Sequence, residues 1–176
     1  MMNKTVTIFG SSLPKQGEFE YESAYKIASE LAQNGFNICS GGNSGIMEAV
    51  SKAANEKGTE AIGVTVNIFN AKPNHYLTTE IKCNTLFRRI DKLIEYGDAF
   101  VILPGGTGTL LELSAIWELF NKNVIKEKPV ASIGKMWKTI ITEMEERIIK
   151  EKRKRNLIKY FLNEKDLVSY LLEKLN

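Results

Sequence analysis

The sequence predicts an α/β protein: one Rossmann-like domain over residues 1–176, its doubly wound parallel sheet flanked by helices. Three observations carry this. Five short apolar runs of strand character alternate with segments of helical periodicity. Three strand ends run into stretches rich in glycine and hydroxyl residues: GSS, SGGNSG and PGGTGT. And 176 residues, 43% hydrophobic and 26% charged, are enough for one domain with a real core.

Taken in order, Thr5 to Phe9 reads as a buried strand that ends at Gly10-Ser11-Ser12. A helix follows from about Tyr21 to Asn34, with Ala24, Ile27, Ala28, Leu31 and Ala32 on one face and Gly35 as its stop. Phe36 to Cys39 is the second strand, Ile46 to Glu56 the second helix and Ala61 to Val66 the third strand. Residues 67–80 read as a long loop holding Pro73 and His75. The third helix spans Asn84 to Tyr96, the fourth strand Ala99 to Leu103, the fourth helix Thr109 to Phe120 and the fifth strand Pro129 to Ile133. Helices near Trp137 to Lys152 and Glu164 to Leu175 close the chain. Trp117, Phe120 and Trp137 are expected in the core or a subunit interface. Strands separated by helices imply right-handed parallel crossovers, and such folds bind ligands at the carboxyl ends of their strands.

Several functional classes are set aside early. A net charge of +3 is too small to imply a nucleic-acid partner. The start, MMNKTVTIFGSS, passes from a short polar lead into a strand and is expected to carry no signal peptide. No apolar run approaches a membrane span. Cys39 and Cys83 match no metal or redox spacing; they read as reduced thiols of a cytoplasmic protein, Cys83 nearer the surface. A lone His75 makes a zinc site or a Ser-His-Asp triad unpromising. The run KEKRKR, Lys150 to Arg155, reads as a charged helix end.

Glycine lets a ligand approach the main chain, and successive N–H groups then form an anion nest. A helix starting just after adds its own free N–H groups and dipole. The loop Gly105, Gly106, Thr107, Gly108 and Thr109 therefore points to a phosphate, with Ser11, Ser12 and Gly42 on the neighbouring strand ends. A tight turn needing glycine only for geometry explains one such loop as well; three converging loops weigh against it. The loop is neither a P-loop, which needs Gly-Lys-Ser/Thr, nor a dinucleotide fingerprint, since Leu111 stands at the third glycine. A mononucleotide or sugar phosphate fits better.

Glu112 has two readings of equal standing. Thr109 to Glu112 has the spacing of a capping box, threonine at the N-cap and glutamate at N3. Alternatively its carboxylate, among leucines and one turn from the nest, receives ribose hydroxyls. Arg88 falls in line with Asp91, Lys92 and Glu95 on a solvated face, whereas Arg89 edges the apolar face of Leu86, Ile90, Leu93 and Ile94. Arg89 is then either a helix-edge arginine paired with a carboxylate or a guanidinium facing the ligand.

PGGTGTLLE with an arginine helix upstream strongly resembles the LONELY GUY (LOG) family of cytokinin-activating phosphoribohydrolases, long labelled possible lysine decarboxylases. Pro104 to Glu112 matches the family's PGGxGTxxE at every fixed position. The family's helix arginine falls on Arg89; the lysine that usually follows is Ile90 here. SGGNSGIMEAV resembles the second glycine loop, with Asn43 in place of a glycine, and FGSS the end of the first strand.

The resemblance implies hydrolysis of the N-glycosidic bond of a nucleoside 5′-monophosphate, of AMP or cytokinin riboside type, to free base and ribose 5-phosphate, with no cofactor and no metal. Glu112 and Arg89 would be catalytic, and the glycine loops with Ser11 and Ser12 would hold the phosphate. Glu48 is a weak candidate for a second carboxylate. A homodimer is implied, its sites near an interface that includes the third and fourth helices; no nucleic acid and no membrane is expected as partner. Lysine decarboxylation has no support, because no lysine lies in the glycine loops for a pyridoxal phosphate. The rival is a nucleotide-binding sensor or carrier that keeps the nest without the chemistry. A DNA-processing protein would need a basic surface beyond Lys150 to Arg155.

Overall fold

The structure, a computed structural model, describes residues 3–69 and 71–175. The first two residues of the expected lead and Asn70 of the expected loop lie outside it. Seven strands and six α-helices follow one another in it, alternating except at β3 and β4: β1 (Thr5–Phe9), α1 (Phe19–Gln33), β2 (Asn37–Ser40), α2 (Ile46–Glu56), β3 (Ala61–Val66), β4 (Thr79–Cys83), α3 (Leu86–Tyr96), β5 (Ala99–Ile102), α4 (Thr107–Asn121), β6 (Val130–Ile133), α5 (Lys135–Lys150), β7 (Lys159–Phe161) and α6 (Glu164–Leu175). The sheet order is β4-β3-β2-β1-β5-β6-β7, and every pairing is parallel. This is the doubly wound α/β fold that the sequence predicts.

The five inner strands, β1, β2, β3, β5 and β6, are buried on both faces, so alternate side chains enter two different cores. Val6, Ile8 and Val101 meet Ile27, Leu31 and Val50 of α1 and α2, with Leu167 and Leu171 of α6. Phe9, Phe100 and Ile102 meet Leu93 of α3, Leu113 and Ile116 of α4, and Trp137 of α5. Trp117, Phe120 and Trp137 are all buried. Trp137 satisfies its indole by donating Nε1–H to Leu103 O at 2.8 Å.

Two strands correct the sequence reading. β4 begins in the last two residues of the segment expected as loop and runs on to Cys83, and β7 follows α5 where none is expected. They are the two edges of the sheet. Edge strands are kept short and polar because an apolar edge would pair with other chains. β4 is TEIKC, with only Cys83 buried, and β7 has three residues and none buried. Neither carries the apolar run that marks a strand interior.

Helix α3 is held at both ends. Thr85 Oγ1 accepts the Arg88 N–H at 3.2 Å. Lys128 Nζ donates to the Gly97 and Ile94 carbonyls at 2.6 and 3.3 Å, a cation on the helix's negative end. Two cations of the basic run that ends α5 are in ion pairs. Arg153 pairs with Glu118 at 3.2 Å and with Glu151 at 3.1 Å, and Lys154 pairs with Glu127 at 2.6 Å. No helix among the described residues is long and apolar enough to cross a membrane. Cys39 and Cys83 are both free and buried.

Candidate active site

β1 leads to β2 on one side and pairs with β5 on the other, so the direction of winding reverses beside it. Such a switch point opens a crevice at the carboxyl ends of the strands. Three glycine loops meet there, and one residue laces them. Ser11 N–H donates to Pro104 O at 2.9 Å, and Ser11 O accepts the Ile46 N–H at 2.9 Å. Ser44 Oγ adds a bond to Ser12 O at 2.9 Å. Gly45 has φ +67°, and a Cβ there would lie 2.4 Å from the Ser12 carbonyl carbon. Only glycine allows the second loop to press so close to the first.

The cavity enclosed measures about 380 Å³ and is lined by Ser11, Ser12, Arg89, Gly106, Thr107, Gly108, Thr109 and Glu112 among others. The structure thus gathers eight of the ten site residues expected from sequence. Gly105 sits just behind the lining: a Cβ on it would meet Thr109 Oγ1 at 2.2 Å. Gly42 is turned away, toward Thr65, Gly63 and Leu77. The second glycine loop reaches the cavity through Gly41 and Asn43 instead, with Met47 from α2.

Helix α4 begins at Thr107, two residues before the sequence expectation, with Gly106 as N-cap and no side-chain cap. Thr109 is therefore inside the first turn, and the capping box with Glu112 is not formed. The first-turn residues Thr107, Gly108 and Thr109 present the positive end of α4 to the cavity, where no capping side chain competes for it.

Glu112, freed from capping, faces Arg89. Arg89 Nη1 donates to Glu112 Oε1 at 3.2 Å, with both side chains at most 10% exposed. Arg89 Nε donates to Val64 O at 2.8 Å, and Nη2 lies 4.0 Å from Met47 Sδ. A Cβ on Gly41 would come within 1.8 Å of Nη2, so this glycine makes the slot the guanidinium occupies. Arg89 pairs with a carboxylate, and both partners line the cavity.

Burial dominates the electrostatics of Glu112. Desolvation pushes its carboxyl up to about 7, against the Arg89 charge and hydrogen bond, which favour the ionised form. A carboxyl poised near neutrality in a cleft can hold or release a proton around pH 7.

Other candidates fall away from the cavity. Ile90, where the family pattern has lysine, is buried in the apolar core beside Leu93 and Ile94. Glu48 stays outside the lining and accepts from Tyr21 Oη at 3.4 Å. His75 is exposed, its ring tilted against that of Tyr76 with centroids 3.9 Å apart. Among the described residues no group of three or more His, Cys, Asp or Glu could hold a metal.

Comparison with known proteins identifies the family. A family model described as "Possible lysine decarboxylase" matches residues 47–171. The cytokinin riboside 5′-monophosphate phosphoribohydrolase of Rhodococcoides fascians is 32% identical over 113 residues, 62% of this chain and 57% of that protein. The one from Mycobacterium tuberculosis is 30% identical over 116 residues, 64% of this chain and 62% of that protein. The aligned segment thus spans about three fifths of the length of these relatives. Among solved structures, the molybdenum cofactor binding protein of Rippkaea orientalis superposes with a TM-score of 0.77 over 100% of this chain and 99% of its own, at 17% identity, a likeness of fold alone. With well over half of its residues matched by the family model, the chain belongs to the LONELY GUY (LOG) family, the one that model describes as possible lysine decarboxylases.

Proposed function

We propose that the protein hydrolyses the N-glycosidic bond of a nucleoside 5′-monophosphate, of AMP or cytokinin riboside monophosphate type, releasing free base and ribose 5-phosphate. The observation that carries this is the Arg89–Glu112 pair set one turn below an uncapped helix N-terminus in a single cavity. The start of α4 and its glycine loop receive the 5′-phosphate, with Ser11, Ser12 and Thr109 beside it. The ribose then lies over Glu112.

Cleavage of the C1′–N bond builds positive charge on the sugar, and a carboxylate close by stabilises it. Glu112 is the one carboxylate lining the cavity among the described residues, so it takes this role in its ionised form. Arg89 holds that carboxylate in place and helps keep it charged. Water adds its hydroxyl to C1′, and the base leaves with a proton. Neither cofactor nor metal enters this scheme. A reducing, cytoplasmic setting fits the two free buried thiols. We further propose a homodimer through α3 and α4, where Phe87 and Leu110 are exposed next to site residues.

Purified protein is incubated with AMP, GMP, CMP, UMP and isopentenyladenosine monophosphate, and free base is followed by chromatography. Base release falling at least about 100-fold in Glu112→Gln and Arg89→Ala is the expected result. Nucleotide that raises the melting temperature without any base release overturns hydrolysis in favour of a sensor or carrier.

A further inference from the structure

We propose that Asn74 is a positioning residue of this site: its side chain fixes, from outside, the glycine loop against which the Arg89 guanidinium rests. The inference uses the phosphoribohydrolase reading for its activity measurement.

Asn74 lies in the irregular segment between β3 and β4, far in sequence from the loop it holds. Its backbone N–H donates to Gly42 O at 2.8 Å. Its Nδ2 reaches Gly42 O at 3.1 Å, Asn43 O at 3.0 Å and Ser51 Oγ at 3.3 Å. Its Oδ1 accepts the Tyr76 N–H at 3.1 Å. The two ends of the amide do different work. Oδ1 shapes the segment's own turn. Nδ2 gathers two successive carbonyls of the glycine loop and ties them to α2 through Ser51.

Those carbonyls belong to the residues that follow Gly41, the glycine whose missing Cβ leaves room for Arg89 Nη2. Gly42 has φ +74° and no side chain of its own to hold that conformation. Leu77 of the same segment packs on Gly42 and Gly63, where a Cβ would approach its methyls to 3.3 and 2.4 Å. The loop wall of the guanidinium slot is thus clamped by residues 74–77. A guanidinium that drifts takes the Glu112 carboxylate with it. Misplacement of such groups by about 1 Å can cost about 100-fold in rate.

The test compares two ties of one segment. Asn74→Asp keeps the turn-forming oxygen but sets a second oxygen against two carbonyls. Asn74→Ala removes both, and gives the same comparison should Asn74→Asp fail to fold. Asn55→Ala removes the other tie, Asn55 Nδ2 to Tyr76 O at 3.2 Å, which does not touch the glycine loop. Steady-state base release from AMP, AMP affinity by calorimetry and amide hydrogen exchange over residues 41–45 are measured on each.

Expected for both Asn74 variants is faster exchange over 41–45 and kcat lower by about 10- to 100-fold, with KM within about threefold. Asn55→Ala keeps wild-type kcat. Unchanged kcat in the Asn74 variants overturns the proposal, and so does an equal loss in Asn55→Ala. If the wild-type protein releases no base at all, the phosphoribohydrolase reading fails on its own. AMP affinity then decides for Asn74: about tenfold weakening in its variants but not in Asn55→Ala supports positioning, and equal affinities overturn it.

Discussion

Glu112 is a side chain whose charge is set chiefly by its burial. Buried beside one guanidinium, it keeps its proton up to about 7, while in the unfolded chain it releases it near the ordinary 4.5. Between those values the folded state binds more protons than the unfolded, so folding stability falls as pH rises across that window. The fall is at most about 1.4 kcal/mol per pH unit. Urea unfolding of wild-type protein and Glu112→Gln from pH 4 to 8 checks this: the difference between the two curves should slope through the window and flatten above pH 7. In the proposed reaction the carboxylate is the working form, so the same titration should appear in the activity. Base release should rise through about pH 7 in the wild-type protein.

Among the elements, the loops are as constrained as the helices. Gly45→Ala forces a left-handed non-glycine residue and a clash with the Ser11–Ser12 backbone, which the strands on either side cannot relieve. It is expected to lower stability by about 2–4 kcal/mol in urea melts and to abolish nucleotide binding. This scale also shows what could be read from residue order. β1, β2, β3, β5 and β6 sit inside the sheet, buried on both faces, and their apolar runs are plain. β4 and β7 are edges, and an edge hides its strand character for the reason it survives as an edge. Arg89 could be separated from Arg88 because α3 is strongly two-faced. The start of α4 could not be placed, because Thr109 is by type a better cap than Gly106, and only the turn taken by Gly105 and Gly106 decides between them. Gly41 and Gly42 are likewise identical in sequence; which one borders the guanidinium depends on the conformation of the loop, held in part by Asn74 from another segment.

For the whole molecule, the unpartnered apolar surface beside the site leads to a prediction about assembly. Phe87 is 71% exposed on α3, and Leu110 is 38% exposed in the first turn of α4. With a two-fold axis at this face, each copy would cover the other's pair. Phe87→Glu is expected to convert a dimer of about twice 19.8 kDa into a 19.8 kDa monomer in sedimentation velocity. A wild-type protein that already sediments as a monomer would sink the dimer.

Ser11 ties a stretch beginning near the amino terminus to Pro104 and to Ile46. Neither bond is local: β1 must wait for β5, whose strand is about ninety residues further along, before its second neighbour exists. Closing a loop of that length carries an entropic cost that only the finished sheet repays. On a growing chain, β1, β2 and β3 can emerge and pair while the crevice still has one wall missing. The cavity at the switch point is therefore a late product of folding, completed only when α4 arrives with Glu112. A ligand that needs this pocket can recognise the assembled chain and none of its earlier, half-built forms.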